Sequence, residues 1–143
     1  MSMKNSRQYD YEKQQQKTAS AAINVAQLVK IIAYDPAKMT VDVQPISKRL
    51  DQGSYESQPP ILSVPISCQR GGGFAMRVNY KPGDVGSVVF CDHDIDNAVA
   101  GGAEGEPNTE RNHSSSDAVF MGGIATGGGG VSGLPDGFSI GTD

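Results

Sequence analysis

The sequence is poor in aromatic residues and has no excess of basic ones. It contains no tryptophan, aromatics make up 6% of its 143 residues, and its formal net charge is −4. Proteins that bind single-stranded nucleic acids combine a basic groove with aromatic side chains on which bases stack, and clustered Lys and Arg neutralise the phosphates. Both deficits therefore argue against a nucleic-acid partner.

Cysteine and long apolar runs are also scarce. Cys68 and Cys91 have neither a C-x-x-C partner nor a histidine at metal-ligand spacing, so buried free thiols are predicted. No apolar run approaches the length that spans a bilayer, and the N-terminus lacks the apolar core of a signal peptide. We expect synthesis in the cytoplasm, where both cysteines stay reduced.

Turn-forming residues are abundant instead, with 18 glycines and 8 prolines. This composition predicts that much of the backbone forms turns and loops. With the strand patterns described below, we expect an all-β chain with an N-terminal helical arm (residues 1–22), one small barrel (23–124) and a glycine-rich C-terminal extension (125–143). Residues 11–22 are strong helix formers with almost no large apolar side chain to bury. The arm is expected to be helical when it is docked.

Strand patterns fill the middle of the chain. Residues 24–33 are β-branched and apolar, a turn follows at 35–38, and 39–44 alternate with period two, which predicts a hairpin with Met39, Val41 and Val43 on one face. Residues 45–60 contain basic residues, a glycine and a Pro-Pro pair, and are predicted to form a long exposed connection. Strand character resumes at residues 61–68.

Glycines shape the next turns. Gly71, Gly72 and Gly73 are not followed by Lys-Ser/Thr or a helix pattern, so a tight bend is favoured over a phosphate-binding loop. Pro82 and Gly83 predict a turn that leads into residues 85–92, the most buried-looking strand. We expect that replacing Val89 with Asp would bury an unpaired charge in this strand.

No catalytic, cofactor or metal site is predicted. Asp92, Asp94 and Asp96 with His93 invite a metal interpretation, but no glycine and glutamate follow at calcium-loop spacing. His113 with the neighbouring serines lacks the context of a nucleophile. We expect that the chain is not an enzyme, that Ser116 or Asp117 binds loop amides, and that Arg111 pairs with a carboxylate at a strand end.

Several short segments occur in an order that resembles one protein family. These are residues 62–65, 71–74, 80–90, 91–96 and 111–120, and together they look like the OB-fold domain of phage baseplate central-spike proteins, the membrane-puncturing tips of tailed phages. The resemblance covers residues 25–124 and implies a small OB-fold barrel. Arg111, His113 and Asp117 match the family segment that returns the chain to the last strand, a role in structural loop or barrel closure. Asn97 stands where a tryptophan-containing stretch is common, so the loop at 98–108 departs from the pattern.

The resemblance also implies partners and a location. Such proteins form homotrimers that close the tail tube and help to pierce the host envelope, so the arm would meet a baseplate hub or tail-tube protein in the virion. The chain has no long repetitive strand region, so it forms a short spike or a separate tip protein supplies the point. A cytoplasmic OB-fold binding module is the alternative. Spaced apolar residues of the extension are predicted to contact neighbouring copies or the tip, namely Ile124, Val131, Leu134, Phe138 and Ile140.

Overall fold

A computed structural model of the protein describes residues 3–22, 24–127, 133 and 137. It begins with the helix α1 (Met3–Ala22), which covers most of the predicted arm. Residues 6–16 of α1 are exposed. This agrees with a segment that is rich in helix formers but poor in apolar side chains, because such a helix has no face to bury.

The described residues form nine strands, and the protein is mostly β, as predicted. The strands are β1 (Ala26–Asp35), β2 (Thr40–Pro45), β3 (Arg49–Asp51), β4 (Ser54–Glu56), β5 (Ile61–Pro65), β6 (Gln69–Gly71), β7 (Phe74–Met76), β8 (Val85–Phe90) and β9 (Ala118–Gly122). Five of them build one curled antiparallel half-barrel in the order β5-β2-β1-β8-β9, while β3-β4 and β6-β7 are separate hairpins.

The predicted first hairpin is confirmed. β1 and β2 pair antiparallel from Val29 opposite Pro45 to Asp35 opposite Thr40. The Asp35 carboxylate accepts hydrogen bonds from the backbone N–H groups of Ala37 and Lys38 at 3.0 and 3.2 Å, which stabilises the turn. Met39 does not extend the buried face of β2, because its φ of 53° places it in the turn.

The core lies on the concave side of the sheet. Its fully buried side chains come from every strand of the half-barrel, with Phe120 of β9 the largest. Gly86 and Gly122 lie against the Phe120 ring, where an added Cβ would overlap it. The edges of the sheet meet at one parallel bridge between Ile66 and Phe120, and the Ser67 N–H donates to the Phe120 carbonyl at 2.9 Å. The core contains Val29, Ile31, Val41, Val43, Val64, Val88 and Phe120.

The strand β8 confirms the prediction at residues 85–90 but reverses its faces. Gly86, Val88 and Phe90 are buried, whereas Val89 is 37% exposed. The expectation that Asp at position 89 would be buried is therefore wrong. The segment carries apolar residues on both faces, so its alternation alone could not identify the inner one.

The predicted exposed connection at 45–60 contains a hairpin. Leu50 and Tyr55 are opposite each other in β3 and β4, with 59% and 69% of their surfaces exposed. Between the strands, Gln52 and Gly53 both have positive φ, as a two-residue hairpin turn requires. The glycine bend is confirmed in the same form, because Gly72 and Gly73 have positive φ between β6 and β7.

The chain groups into two compact units. Gln27–Val89 with Val119–Asp143 contains the half-barrel and both hairpins, and Met1–Ala26 with Phe90–Ala118 contains α1, a short helix α2 (Asp96–Gly101) and a 3₁₀ turn (Ser115–Asp117). The helix α2 corrects the predicted loop at 98–108 over its first residues. Within the described part of the chain, no helix has the length and apolar character needed to cross a membrane.

Candidate functional site

A buried arginine–carboxylate cluster is the densest polar arrangement in the unit that contains α2. Arg111 Nη2 lies 2.9 Å from Asp94 Oδ1, 3.2 Å from Asp96 Oδ2 and 2.9 Å from Asp117 Oδ1. Arg111 Nε also donates to Asp117 Oδ2 at 3.1 Å, so this contact is bidentate. The side chains of Asp94 and Asp117 are fully buried, and that of Arg111 is 29% exposed. We call these four residues the Arg111 cluster.

Asp94 is held by the segment that follows β8. Its Oδ1 accepts the backbone N–H of Asp96 at 2.9 Å, and its Oδ2 accepts the Thr109 hydroxyl at 2.9 Å. Thr109 carries no sequence signal for this role, because the loop between the two residues brings them together. The same loop is closed by Asn97 and Asn108, whose side-chain amides bind each other at 2.9 and 3.1 Å.

Asp117 ties the segment before β9 to the segment after β8. Its Oδ1 accepts the Ile95 N–H at 3.1 Å, and its backbone carbonyl accepts the Cys91 N–H at 2.9 Å. The 3₁₀ turn that carries it starts at Ser114, whose hydroxyl accepts the Ser116 N–H at 3.2 Å. Asp117 therefore binds a loop amide, as the sequence suggested, whereas Ser116 contributes only its backbone.

The structure separates residues that the sequence had grouped. Asp94, Asp96 and Asp117 have carboxylate oxygens within 4.8 Å of one another. Asp92 lies apart from them and has an oxygen 3.4 Å from His113 Nε2. His113, which has a φ of 46°, thus supports the loop beside the Arg111 cluster rather than within it. The three clustered carboxylates receive their positive charge from Arg111.

Hydrogen bonds shift the pKa values of Asp94 and Arg111. The pKa of Asp94 is lowered, first by the backbone N–H of Asp96 and further by the Thr109 hydroxyl and the Arg111 charge, although burial opposes the shift. The pKa of Arg111 is raised, chiefly by its hydrogen bond to Asp117. Burial also raises the pKa of the Cys91 thiol, with Asp117 and Asp92 adding to the effect. Both Cys68 and Cys91 are free and partly buried.

The lowered pKa of Asp94 predicts an acid-sensitive contribution to stability. A carboxylate with a folded-state pKa below its unfolded value stabilises the fold above the unfolded value, about 4, and loses this contribution as the pH falls through the folded value. Urea unfolding from pH 7 to about 3 should therefore show a smaller loss of stability for Asp94→Asn than for the wild type. Parallel losses in the two proteins would contradict the role given to Asp94.

The buried carboxylates of the Arg111 cluster are occupied by structural contacts. Each fully buried carboxylate already accepts hydrogen bonds from backbone, hydroxyl or guanidinium groups.

The predicted assembly residue Ile124 is 41% exposed, and its N–H donates to the Val85 carbonyl at 2.8 Å. The other predicted assembly residues, Val131, Leu134, Phe138 and Ile140, lie outside the described residues.

The sequence is similar to a family of phage proteins. No curated protein matches the sequence significantly. A family model described as the Phage protein Gp138 N-terminal domain matches residues 28–123. The match includes the Arg111 cluster and reaches all five strands of the half-barrel. Because it covers about two thirds of the 143 residues, the chain belongs to the family of the Phage protein Gp138 N-terminal domain.

Proposed function

We propose that this phage protein is a structural component of the tail baseplate, a trimeric central-spike or hub-capping protein that closes the tail tube and helps to pierce the host envelope. The observation that carries the proposal is the family match across the half-barrel. It supports a phage structural role and a place in the virion. The baseplate position, the trimer and the piercing action are the additional content of the proposal.

The strand order supports an OB-fold barrel. The half-barrel has the order β5-β2-β1-β8-β9, and its outer strands meet at the parallel bridge between Ile66 and Phe120. The OB-fold is a five-stranded, partly open Greek-key barrel, and the strand order together with the bridge between the outer strands supports that assignment. OB-folds often bind oligonucleotides or oligosaccharides, but the net charge of −4 gives no reason to assign a nucleic-acid partner here.

The Arg111 cluster suits a domain that carries load. It joins residues 94–96 to residues 109–117 through charge-assisted hydrogen bonds, two of whose carboxylates are fully buried. Loss of Arg111 would leave two fully buried carboxylates without their counter-charge, which is costly. We infer that Arg111 and Asp117 fix the loop that returns the chain to β9, and that His113 supports its bend.

Exposed apolar residues on the convex side of the half-barrel suit contacts between copies. Leu28 on β1 and Ile46, just after β2, are each 47% exposed, and the Ile46 N–H donates to the Leu28 carbonyl at 3.0 Å, so the two residues are neighbours. Ile32, also on β1, is 45% exposed. In a closed trimer, symmetry places the same patch of every copy against a neighbouring copy. The exposed helix α1 would then contact a baseplate hub or tail-tube protein.

Sedimentation of the full-length protein tests the trimer. At micromolar concentration and above, the mass should be three times that of the chain. The double variant Leu28→Glu with Ile46→Glu should shift the population to monomers, because it places charges in the apolar contact. The variant Lys38→Glu, on an exposed turn, is the control and should remain trimeric. A wild-type monomer at concentrations well above micromolar would contradict the spike and favour the cytoplasmic binding module.

A further inference from the structure

The half-barrel unit carries two short hairpins in which no strand residue is buried. The β3-β4 hairpin and the β6-β7 hairpin are separate two-stranded sheets, and all of their strand residues are exposed. An isolated two-stranded hairpin is at best marginally stable in water, and further strands or a packing partner are needed to stabilise it. Both hairpins should therefore gain stability from an additional contact.

Each hairpin has one apolar face. Residues directly opposite each other in an antiparallel pair lie on the same face of the sheet. Leu50 is opposite Tyr55 in the β3-β4 hairpin. In the β6-β7 hairpin, Phe74 shares its face with Met76 and is opposite Gly71, which has no side chain to cover the aromatic ring. Phe74 is accordingly 83% exposed and Met76 59% exposed. Both hairpins thus present large apolar side chains to solvent.

The two hairpins differ in charge. The strands of the β3-β4 hairpin contain the acidic residues Asp51 and Glu56 and one basic residue, Arg49. The β6-β7 hairpin contains Arg70, is followed directly by Arg77, and has no acidic residue. Two copies of the β6-β7 hairpin would repel each other, whereas contact between the two different hairpins brings opposite charges together. The charges therefore favour a pairing of unlike hairpins.

The hairpins leave the half-barrel at opposite ends of the β2-β5 pair. This pair runs from Thr40 opposite Pro65 to Val43 opposite Ile61. The β3-β4 hairpin precedes Ile61 in the chain, whereas the β6-β7 hairpin follows Pro65. Because both apolar faces are exposed, the hairpins do not cover each other within one copy. Threefold symmetry joins two different surfaces of neighbouring copies, head to tail, and two unlike hairpins at opposite ends meet that requirement.

We propose that the β3-β4 hairpin of one copy pairs along its edge with the β6-β7 hairpin of the next copy, and that three such contacts close the trimer. The inference rests on the proposed function for the number of copies, and it adds a contact to the one proposed at Leu28 and Ile46. The foot of the β3-β4 hairpin lies beside that patch, because the Gln58 side chain donates to the Ser47 carbonyl at 2.7 Å. Edge pairing joins two marginal hairpins into one four-stranded ribbon.

The strands β4 and β7 are the pairing edges that fit best. Each has one edge that no other described strand pairs. With Tyr55 opposite Met76, the apolar side chains of the two hairpins adjoin on one face of the ribbon. On the other face, Glu56 is then opposite or diagonal to Arg77, whichever direction the strands run. Pairing β3 with β7 would instead bring Arg49 towards Arg77, and like charges across strands are destabilising.

Cysteines across this edge test the contact in the full-length protein. In a Cys68→Ser, Cys91→Ser background, Tyr55→Cys and Met76→Cys are combined in one chain. Oxidised glutathione is added, and non-reducing gels and intact mass follow disulfide formation. A head-to-tail contact should give covalent trimers. Chains with only one of the two substitutions should form covalent dimers on the order of tenfold more slowly, because their thiols are not held together.

The neighbouring position on β7 provides the matched control. Ala75→Cys replaces Met76→Cys, in combination with Tyr55→Cys and in the same background. Ala75 lies on the face opposite to that of Met76, because adjacent side chains of a strand point in opposite directions. We expect cross-linking through this position to be slower on the order of tenfold.

Charge reversal tests the pairing without cysteines. Glu56 and Arg77 are both exposed, so their replacement should leave the fold intact. Glu56→Arg and Arg77→Glu, each alone, should raise the midpoint concentration of assembly on the order of tenfold, because like charges then meet across the edge. The two substitutions together in one chain should return the midpoint close to the wild-type value. Sedimentation equilibrium measures all four proteins.

Each alternative contact gives a different result. Equal rates through positions 75 and 76, a disulfide within one copy, or no rescue by the combined charge reversal would overturn the head-to-tail contact. A wild-type trimer without these cross-links would retain the proposed function and remove this inference. Cross-linked chains longer than three copies would retain the contact and remove the closed trimer, since a head-to-tail contact that does not close forms open filaments.

Discussion

Replacing Val88 with Asp should prevent the protein from folding, whereas Val89→Asp should leave a folded, slightly destabilised protein. Val88 is fully buried in β8, while its neighbour is 37% exposed on the opposite face. An unpaired carboxylate in an apolar interior costs on the order of 5 kcal/mol. This is comparable with the whole free energy of unfolding of a small domain.

The pair is informative because the two substitutions are chemically identical and adjacent. Helical and sheet propensity, charge and size change equally, so the difference reports the direction in which each side chain points. Circular dichroism and urea unfolding of the soluble fractions measure the outcome. Equal stability of the two variants, or a greater loss for Val89→Asp, would contradict the assignment of the inner face of β8.

The position of β8 was predictable from the sequence, but its orientation was not. Val85 and Val89 occupy one face of the segment, and Val88 and Phe90 occupy the other. Local alternation therefore offers two almost equivalent registers. The choice is made by distant partners, because Gly86 on the inner face leaves room for the ring of Phe120. Such a contact joins residues separated by more than thirty positions and has no local signature.

The hairpin β3-β4 and the helix α2 were not predicted from the sequence, and the physical reason differs from that for β8. β3 and β4 have three residues each, and all six are exposed, so no buried face imposes an alternating pattern. Their signal was the turn, because Gln52 and Gly53 take the positive φ that joins short antiparallel strands. α2 also buries none of its six residues. Elements without a buried face depend on the turn and cap residues at their ends. These few residues are a weak sequence signal, so such elements are hard to predict.

The candidate site was partly predictable. Arg111 and Asp117 are six residues apart in a segment whose polar pattern suggested loop bonding, and the structure pairs them through two hydrogen bonds. We predicted that a carboxylate at a strand end pairs with Arg111. The alternation of residues 92, 94 and 96 suggested, however, that all three aspartates lie together on one face. Instead the bend after β8 buries Asp94, leaves Asp96 exposed and directs Asp92 to His113. Loop conformation, which has no repeating period, made that selection.

Removal of the Arg111 side chain should cause a large loss of stability. In Arg111→Ala the fully buried carboxylates of Asp94 and Asp117 keep their backbone and hydroxyl partners but lose their counter-charge. Breaking a buried ion pair by deleting one member is strongly destabilising, because the remaining charge stays out of water. We expect the melting temperature to fall on the order of 10 °C or more.

Two further variants distinguish charge from geometry in the Arg111 cluster. Arg111→Lys keeps the charge but cannot form the bidentate contact with Asp117, so its stability should lie between those of Arg111→Ala and the wild type. Asp96→Asn is the matched control, because the Asp96 side chain is 57% exposed and a surface pair contributes little. Thermal unfolding followed by circular dichroism gives the ranking. A buried counter-charge should stabilise the fold far more than an exposed carboxylate does. If the melting temperatures of Arg111→Ala and Asp96→Asn differed by only a few degrees, the Arg111 cluster would not be the feature that fixes the loop before β9.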